Sequence, residues 1–448
     1  MQKNLFYGSL MDMLDSKDPL VVLADTIKWS KFEDEFAQYY SKEGRPAKPI
    51  RLMVGLLLLK QLENLSDENV VIAWKRNPYF QYFCGFSDFQ TALPCHSTDL
   101  VYFRNRIGKK GFEFIFKHSI EIHSNENLNE SQVIADTTIQ ESNLTYPTDG
   151  KLAIKIINHL HKIVKVENIK LRRSYIKEIK QHRINLRFFR HPKKIIKAKA
   201  SMKRLRTIAK TILRDIDRKF GDNLELHNKY ATKFYLYIRV LLQEKNTKNK
   251  IYSLHEIDAY AVNKGKDHKG YEYGTKASVV TTKNSGIIVG VSAHRENEHD
   301  SKTLKLALEN TISNLGSKTI NEVICDRGYR GSKQIIINNE TVIDISIPSN
   351  LQKKDTPEQI NIKKEKFRRR AAIEPIIGHL KSDHRMQRNY LKGFIGDQIN
   401  LLLAATAFNL KKWMNIYFYA FFTGNLSLLK EAYQQLQHQK ELIMFLLQ

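Results

Sequence analysis

The sequence predicts an α/β protein with one central mixed sheet flanked by helices, interrupted by a basic helical insertion and preceded by a helical N-terminal domain. Three observations carry that expectation. Residues 132–139 shift to the alternation of a strand, and strand character resumes over 276–282 and 287–293 as a hairpin. Residues 151–244 switch to helical periodicity and are dense in Lys and Arg. Residues 50–62 are Leu-rich and almost continuously apolar, as a buried helix would be.

A chain of 448 residues exceeds one ordinary core, so two or three packed units are expected. The net charge of +26 points to a polyanionic partner, with nucleic acid first among candidates. The excess is local: residues 151–210 hold 20 Lys and Arg against only Glu167 and Glu178. Cys84, Cys95 and Cys325 are widely spaced, form no CxxC pair and suit a reducing, cytoplasmic setting. Residues 1–15 lack the pattern of a signal or transit peptide. The aromatic-rich tract 416–429 is broken by Thr423, Gly424, Asn425 and Ser427, so it reads as a buried or oligomer-facing helix and not a membrane span.

In chain order, the apolar helix over 50–62 is followed by a second helix after Ser66-Asp67, a capping pair. A third begins near Ser97, with Thr98 and Asp99 in its first turn, carries Arg104 and Arg106 as exposed cations, and stops at Gly108. Such a trio serves equally as a small DNA-binding unit or as a helical packing domain. A strand over 132–139 contains Asp136. The insertion follows, with Pro192 as its main breaker, and then a hairpin turning through 283–286. A helix capped by Asp300 and Ser301 leads to a strand over 322–325 that ends at Asp326. The layer order puts a helix in the short segment 332–339, then a strand over 342–348, a polar linker over 349–363 and a final pair of helices. The expected domains are 1–125, helical; 130–149 with 255–414, the sheet domain; 150–254, the insertion; and 415–448, a helical tail.

No repeat of 20 to 50 residues and no P-loop is present, which argues against a solenoid and against nucleotide-driven chemistry. Three carboxylates stand out. Asp136 interrupts Val133-Ile134-Ala135, and Asp326 ends Val323-Ile324-Cys325, so both would project from strand ends, although a single strand-end Asp is commonly a turn former. Phe367, Arg370, Glu374 and Lys381 recur at helical spacing on one face, opposite Ile373, Ile376 and Ile377; a solvated charged face is the plain alternative. Together, two Asp and one Glu suffice to hold two hard divalent cations, Mg²⁺ or Mn²⁺, for phosphodiester chemistry.

At these residues the chain resembles the bacterial insertion-sequence transposases of the DDE superfamily, most closely the group named after insertion sequence five, over about residues 46–414. The resemblance rests on Asp136 in VIADTTIQES, on Asp326 before Arg327, Gly328 and Tyr329, and on Arg370, Glu374 and Lys381 in register, with Phe367 where the group usually has Tyr. It implies an RNase H-like fold with Asp136, Asp326 and Glu374 as catalytic metal ligands. It implies that Arg370 and Lys381 contact DNA near the scissile phosphate, while Arg327 is either a phosphate contact or a rim cation. His299-Asp300 occupies a place the group often fills with the same pair, and helix capping accounts for Asp300. The implied activity is cleavage of the element's terminal inverted repeats to expose 3′-hydroxyls and their joining to target DNA, by a homodimer or larger assembly on double-stranded DNA. A DNA-binding derivative without catalysis is the alternative; an RNA-binding protein would explain the charge but not the carboxylates.

Overall fold

The computed structural model describes residues 9–422 apart from 42, 44–46, 124, 245, 264–269, 317–319, 332, 338–340, 348–351 and 353–354. The expected tail therefore lies outside the described residues beyond 422. Two compact units are formed, one from Met1–Glu141 with Thr275–Gln448 and one from Ser142–Gly274.

The first unit opens with helices α1 (Leu10–Met13), α2 (Pro19–Thr26), α3 (Trp29–Ala37), α4 (Ile50–Leu62), α5 (Asp67–Arg76), α6 (Pro78–Phe83), α7 (Ser97–Glu121) and α8 (Asn125–Leu128). Every residue of α4 from Leu52 to Leu62 is buried, which explains its apolar run without amphipathic period. Ser66 caps α5 through the Asn69 amide, as its sequence suggests. Two expectations fail here. Gly108 does not end the third helix: its backbone alone turns to φ 55°, ψ −167°, a conformation glycine adopts freely, and α7 resumes beyond it. Arg104 is not an exposed cation but is 4% exposed, donating to both Asp67 oxygens at 2.9 and 2.5 Å beside buried Lys60. Burial pulls Lys60 down to about 8 against the opposing pull of Asp67.

Strand β1 (Gln132–Ser142) closes this stretch. The second unit holds α9 (Asp149–Val166), α10 (Ile176–Asn185), α11 (Ile195–Phe220), α12 (Leu224–Leu242) and β2 (Tyr260–Val262). Leu152, Ile156, Leu160, Leu205, Ile212, Phe234 and Tyr237 belong to its separate core, so the basic stretch carries an apolar face of its own.

The chain returns through β3 (Glu272–Thr282), β4 (Ile288–His294), α13 (Asp300–Leu315), β5 (Glu322–Ile324), β6 (Gln334–Ile337), β7 (Thr341–Ser346), α14 (Pro357–Ala371), α15 (Ile373–Ser382), β8 (Arg388–Asn389) and α16 (Gly393–Phe422). The sheet order is β3-β1-β5-β7-β6, with β4 antiparallel on β3 and β8 on β1. β5 lies parallel to β1 and to β7. The expected helix within 332–339 is instead the strand β6, antiparallel to β7; its described residues include three consecutive isoleucines, whose branched side chains favour strand.

Helix α16 packs on α7, α4, α2 and β4, so the N-terminal helices and the sheet share one core. Buried Asn409 on α16 fastens this joint, accepting from the Ile288 amide at 3.0 Å and donating to its carbonyl at 2.8 Å. His123 Nε2 lies 3.1 Å from the Asn409 carbonyl. No described helix is long and apolar enough to cross a membrane.

Burial, reinforced by Lys412 and opposed by the Asn409 carbonyl, holds the His123 imidazole down to about 4. The unfolded chain takes up this proton near pH 6.5, so stability is expected to fall between about pH 6.5 and 4, by up to about 1.4 kcal/mol per pH unit from this residue. Denaturant titrations at stepped pH should show that slope, and His123→Gln should remove its share.

Candidate active site

Residues two apart in extended chain share a face, so Ile134 and Asp136 on β1 point the same way. Ile324 and Asp326 do likewise, since Asp326 keeps an extended backbone after β5. The two isoleucines are partners in the parallel register. Ile373, at the first position of α15, closes a small buried cluster with both of them, supported by Ile377. The residue after Ile373 is Glu374. Lys366 pins the preceding helix, donating to Glu322 at 3.0 Å and Ser346 at 2.9 Å.

The three sequence-named carboxylates meet at Arg370. Its guanidinium lies 2.9 Å from Glu374 Oε1, 3.8 Å from Asp326 Oδ2 and 4.0 Å from Asp136 Oδ2. Asp136 Oδ1 accepts from the Thr137 amide at 2.7 Å, and Asp326 Oδ1 from the Gly328 amide at 2.8 Å, so Asp326 is also the capping residue of the short turn Arg327–Tyr329. Asp136 is not at a strand end: β1 continues six residues past it, to Ser142. The helix carrying Arg370 and Glu374 is not continuous, because Pro375 lacks the amide that would bond back one turn, and the chain divides at Ala372 between α14 and α15. The Arg370–Glu374 pair spans that joint.

A fourth carboxylate stands here. His299, not Asp300, caps α13, its ring accepting from the Ser301 amide. Asp300 Oδ1 instead accepts from the Thr137 hydroxyl at 2.9 Å and Lys276 Nζ at 3.0 Å. Lys276 also donates to the Glu298 carbonyl at 2.6 Å. Sequence reading passed over Lys276, a lysine that is buried within β3. Beneath these groups lie the Cys325 thiol and the Tyr329 phenol. Burial raises both well above their ordinary ranges, reinforced for Cys325 by Asp326 and Asp136, and for Tyr329 by Cys325, Asp136, Asp300 and Asp326.

Among the described residues no three His, Cys, Asp or Glu side chains stand grouped for an ion. The carboxylates instead share the Arg370 guanidinium as counter-charge. In chemistry the set suits a hard divalent cation, being all oxygen and drawn from three elements. Arg370 Nε is buried without a hydrogen-bond partner, as is the Tyr329 hydroxyl, so polar capacity at the site is unused among the described residues. Of the other named residues, Arg327 is exposed after Asp326, Lys381 is half-buried on α15, and Phe367 is exposed on α14.

In the second unit, Lys151, Lys155, Lys162 and Lys165 follow helical spacing on α9, away from its buried face. Burial lowers the His159 pKa, and Lys162, Lys155 and Lys233 lower it further, so these lysines concentrate positive potential around one imidazole.

Replacing fully buried Ile373 by Ala is expected to cost about 2–4 kcal/mol and to loosen α15 from the sheet. Denaturant unfolding together with proteolysis near residues 372–382 checks this.

Residues 8–106 match the family described as Transposase domain (DUF772), and residues 245–410 match that described as Transposase DDE domain. The chain is 38% identical over 194 residues to "Uncharacterized protein ORF8 in nfe locus" of Rhizobium meliloti, across 42% of this chain and 94% of that protein. No solved structure matches. The chain thus carries matches to two transposase domains, and the DDE match encloses Asp326, Arg370 and Glu374.

Proposed function

We propose that this protein is an active transposase of the insertion-sequence-five group, with an RNase H-like catalytic core. It binds the terminal inverted repeats of its element, cleaves to expose 3′-hydroxyls and joins them to target DNA. The observation that carries this reading is the meeting of Asp136, Asp326 and Glu374 at one guanidinium. In this reading 130–149 and 255–414 are catalytic, 150–254 is a DNA-binding insertion, 1–125 is helical, and a homodimer or larger assembly holds the DNA ends.

Asp136, Asp326 and Glu374 would hold a pair of Mg²⁺ or Mn²⁺ ions, which would polarise the scissile phosphate and activate the attacking water or 3′-hydroxyl. The two aspartates are oriented in advance by nearby backbone amides, Asp136 by Thr137 within β1 and Asp326 by Gly328 in the turn it caps. Glu374, 57% exposed, is the adjustable member. Arg370 offers a planar fork that suits phosphate as well as carboxylate, so DNA entering the site can take it over from the carboxylates. Arg327 and Lys381 would contact flanking phosphates. On the second unit, Lys155, Lys162 and Lys233 would follow the duplex backbone, a contact without base information.

Strand cleavage and joining on the element's ends in Mg²⁺ should fall about 100-fold or more in Asp136→Asn, Asp326→Asn and Glu374→Gln, compared at equal DNA occupancy. Equal inactivity of wild type and variants, with DNA binding intact, would favour a binding protein that has lost catalysis. Separately, replacing Lys155, Lys162 and Lys233 by Ala should weaken binding to any duplex and flatten the log–log salt dependence by about 0.9 per lysine. An unchanged slope in electrophoretic or anisotropy titrations would remove these lysines from the interface.

A further inference from the structure

Helix capping leaves Asp300 unexplained, because His299 does that work. The carboxylate is aimed elsewhere by two donors, Thr137 and Lys276, each holding Oδ1. A β-carbon built on Gly328 would lie 3.0 Å from Asp300 Oδ2 and 3.0 Å from Asp326 Oδ1. The two carboxylates thus share space that any larger residue at 328 would fill. Like charges sharing such a space repel unless something positive joins them. The Lys276 ammonium reaches Asp300 Oδ1, and Arg370 lies on the Oδ2 side of Asp326. The Tyr329 hydroxyl, 1% exposed and beside Asp136, Asp300 and Asp326, has no hydrogen-bond partner among the described residues.

We propose that Asp300 is a fourth acidic member of the cation site, placing Oδ2 beside Asp326 across the bare α-carbon of Gly328 to bind a hard divalent cation directly or through its water shell. This rests on the reading of Asp136, Asp326 and Glu374 as cation ligands. Thr137, adjacent to Asp136, ties the fourth carboxylate to the strand that bears the first. Lys276 and Thr137 engage Asp300 through Oδ1, so Oδ2 is the oxygen offered to the cation, and the Tyr329 hydroxyl can donate to a carboxylate or a bound water of that shell.

Mn²⁺ binding to the full chain, without DNA, is measured by calorimetry and by counting bound ions in paramagnetic resonance for wild type, Asp300→Asn, Gly328→Ala and Asp326→Asn. Asp300→Asn is expected to weaken Mn²⁺ at least about 10-fold. Gly328→Ala keeps every charge and needs no unusual backbone angle, yet presses on both carboxylates, and should weaken Mn²⁺ in the same direction. If Asp300→Asn does not fold, as judged by its melting curve, Gly328→Ala decides. Wild-type affinity in Asp300→Asn or, failing that variant, in Gly328→Ala, alongside loss in Asp326→Asn, overturns the role of Asp300 alone. Wild-type affinity in Asp326→Asn as well overturns the cation reading of the whole site.

Discussion

The contact of Ile373 with Ile134 and Ile324 is the constraint on which the carboxylate site depends. β1 and β5 run parallel with these two isoleucines in register, so the residues two places on, Asp136 and Asp326, emerge on the same face. Burying Ile373 against that pair sets the first turn of α15 beside them and delivers Glu374. The packing is apolar, while the groups it positions are charged and would carry the proposed chemistry. Pro375 interrupts the helix at this point and Lys366 holds the preceding segment to Glu322 and Ser346, so the joint between α14 and α15 is fixed on both sides.

Charge balance is the second constraint. Asp136, Asp326, Glu374 and Asp300 gather in one region, and unpaired carboxylates there would be costly. Arg370 answers three of them and Lys276 the fourth. In the proposed function an incoming cation and phosphate would compete with Arg370 for its partners. Lys276, anchored also to the Glu298 carbonyl, is the more permanent of the two.

Much of this was legible in the sequence because it follows local periodicity. The hairpin β3–β4, the strand before Asp326 and the spacing of Arg370 with Glu374 are patterns of neighbouring residues. What the sequence hid depends on long-range partners. Arg104 looks like an exposed cation until Asp67, 37 residues earlier, is seen to bury it. Asp300 reads as a capping residue until Thr137 and Lys276 are brought to it from β1 and β3. Residues 334–337 are too short for period to separate strand from helix, and pairing with β7 settles them. Gly108 signals a stop, and tertiary packing of the next segment makes it a kink.

Cationic helices lie in one unit and an acid cluster in the other, a division that suits the proposed grip on a polyanion beside a cation site. The most direct measurement is anomalous diffraction from crystals soaked in Mn²⁺. Manganese peaks about 2.1 Å from oxygens of Asp136 and Asp326, with Arg370 turned away from them, are the expected result. Ordered density for these side chains with Arg370 still seated among the carboxylates, and manganese bound only elsewhere, would contradict it.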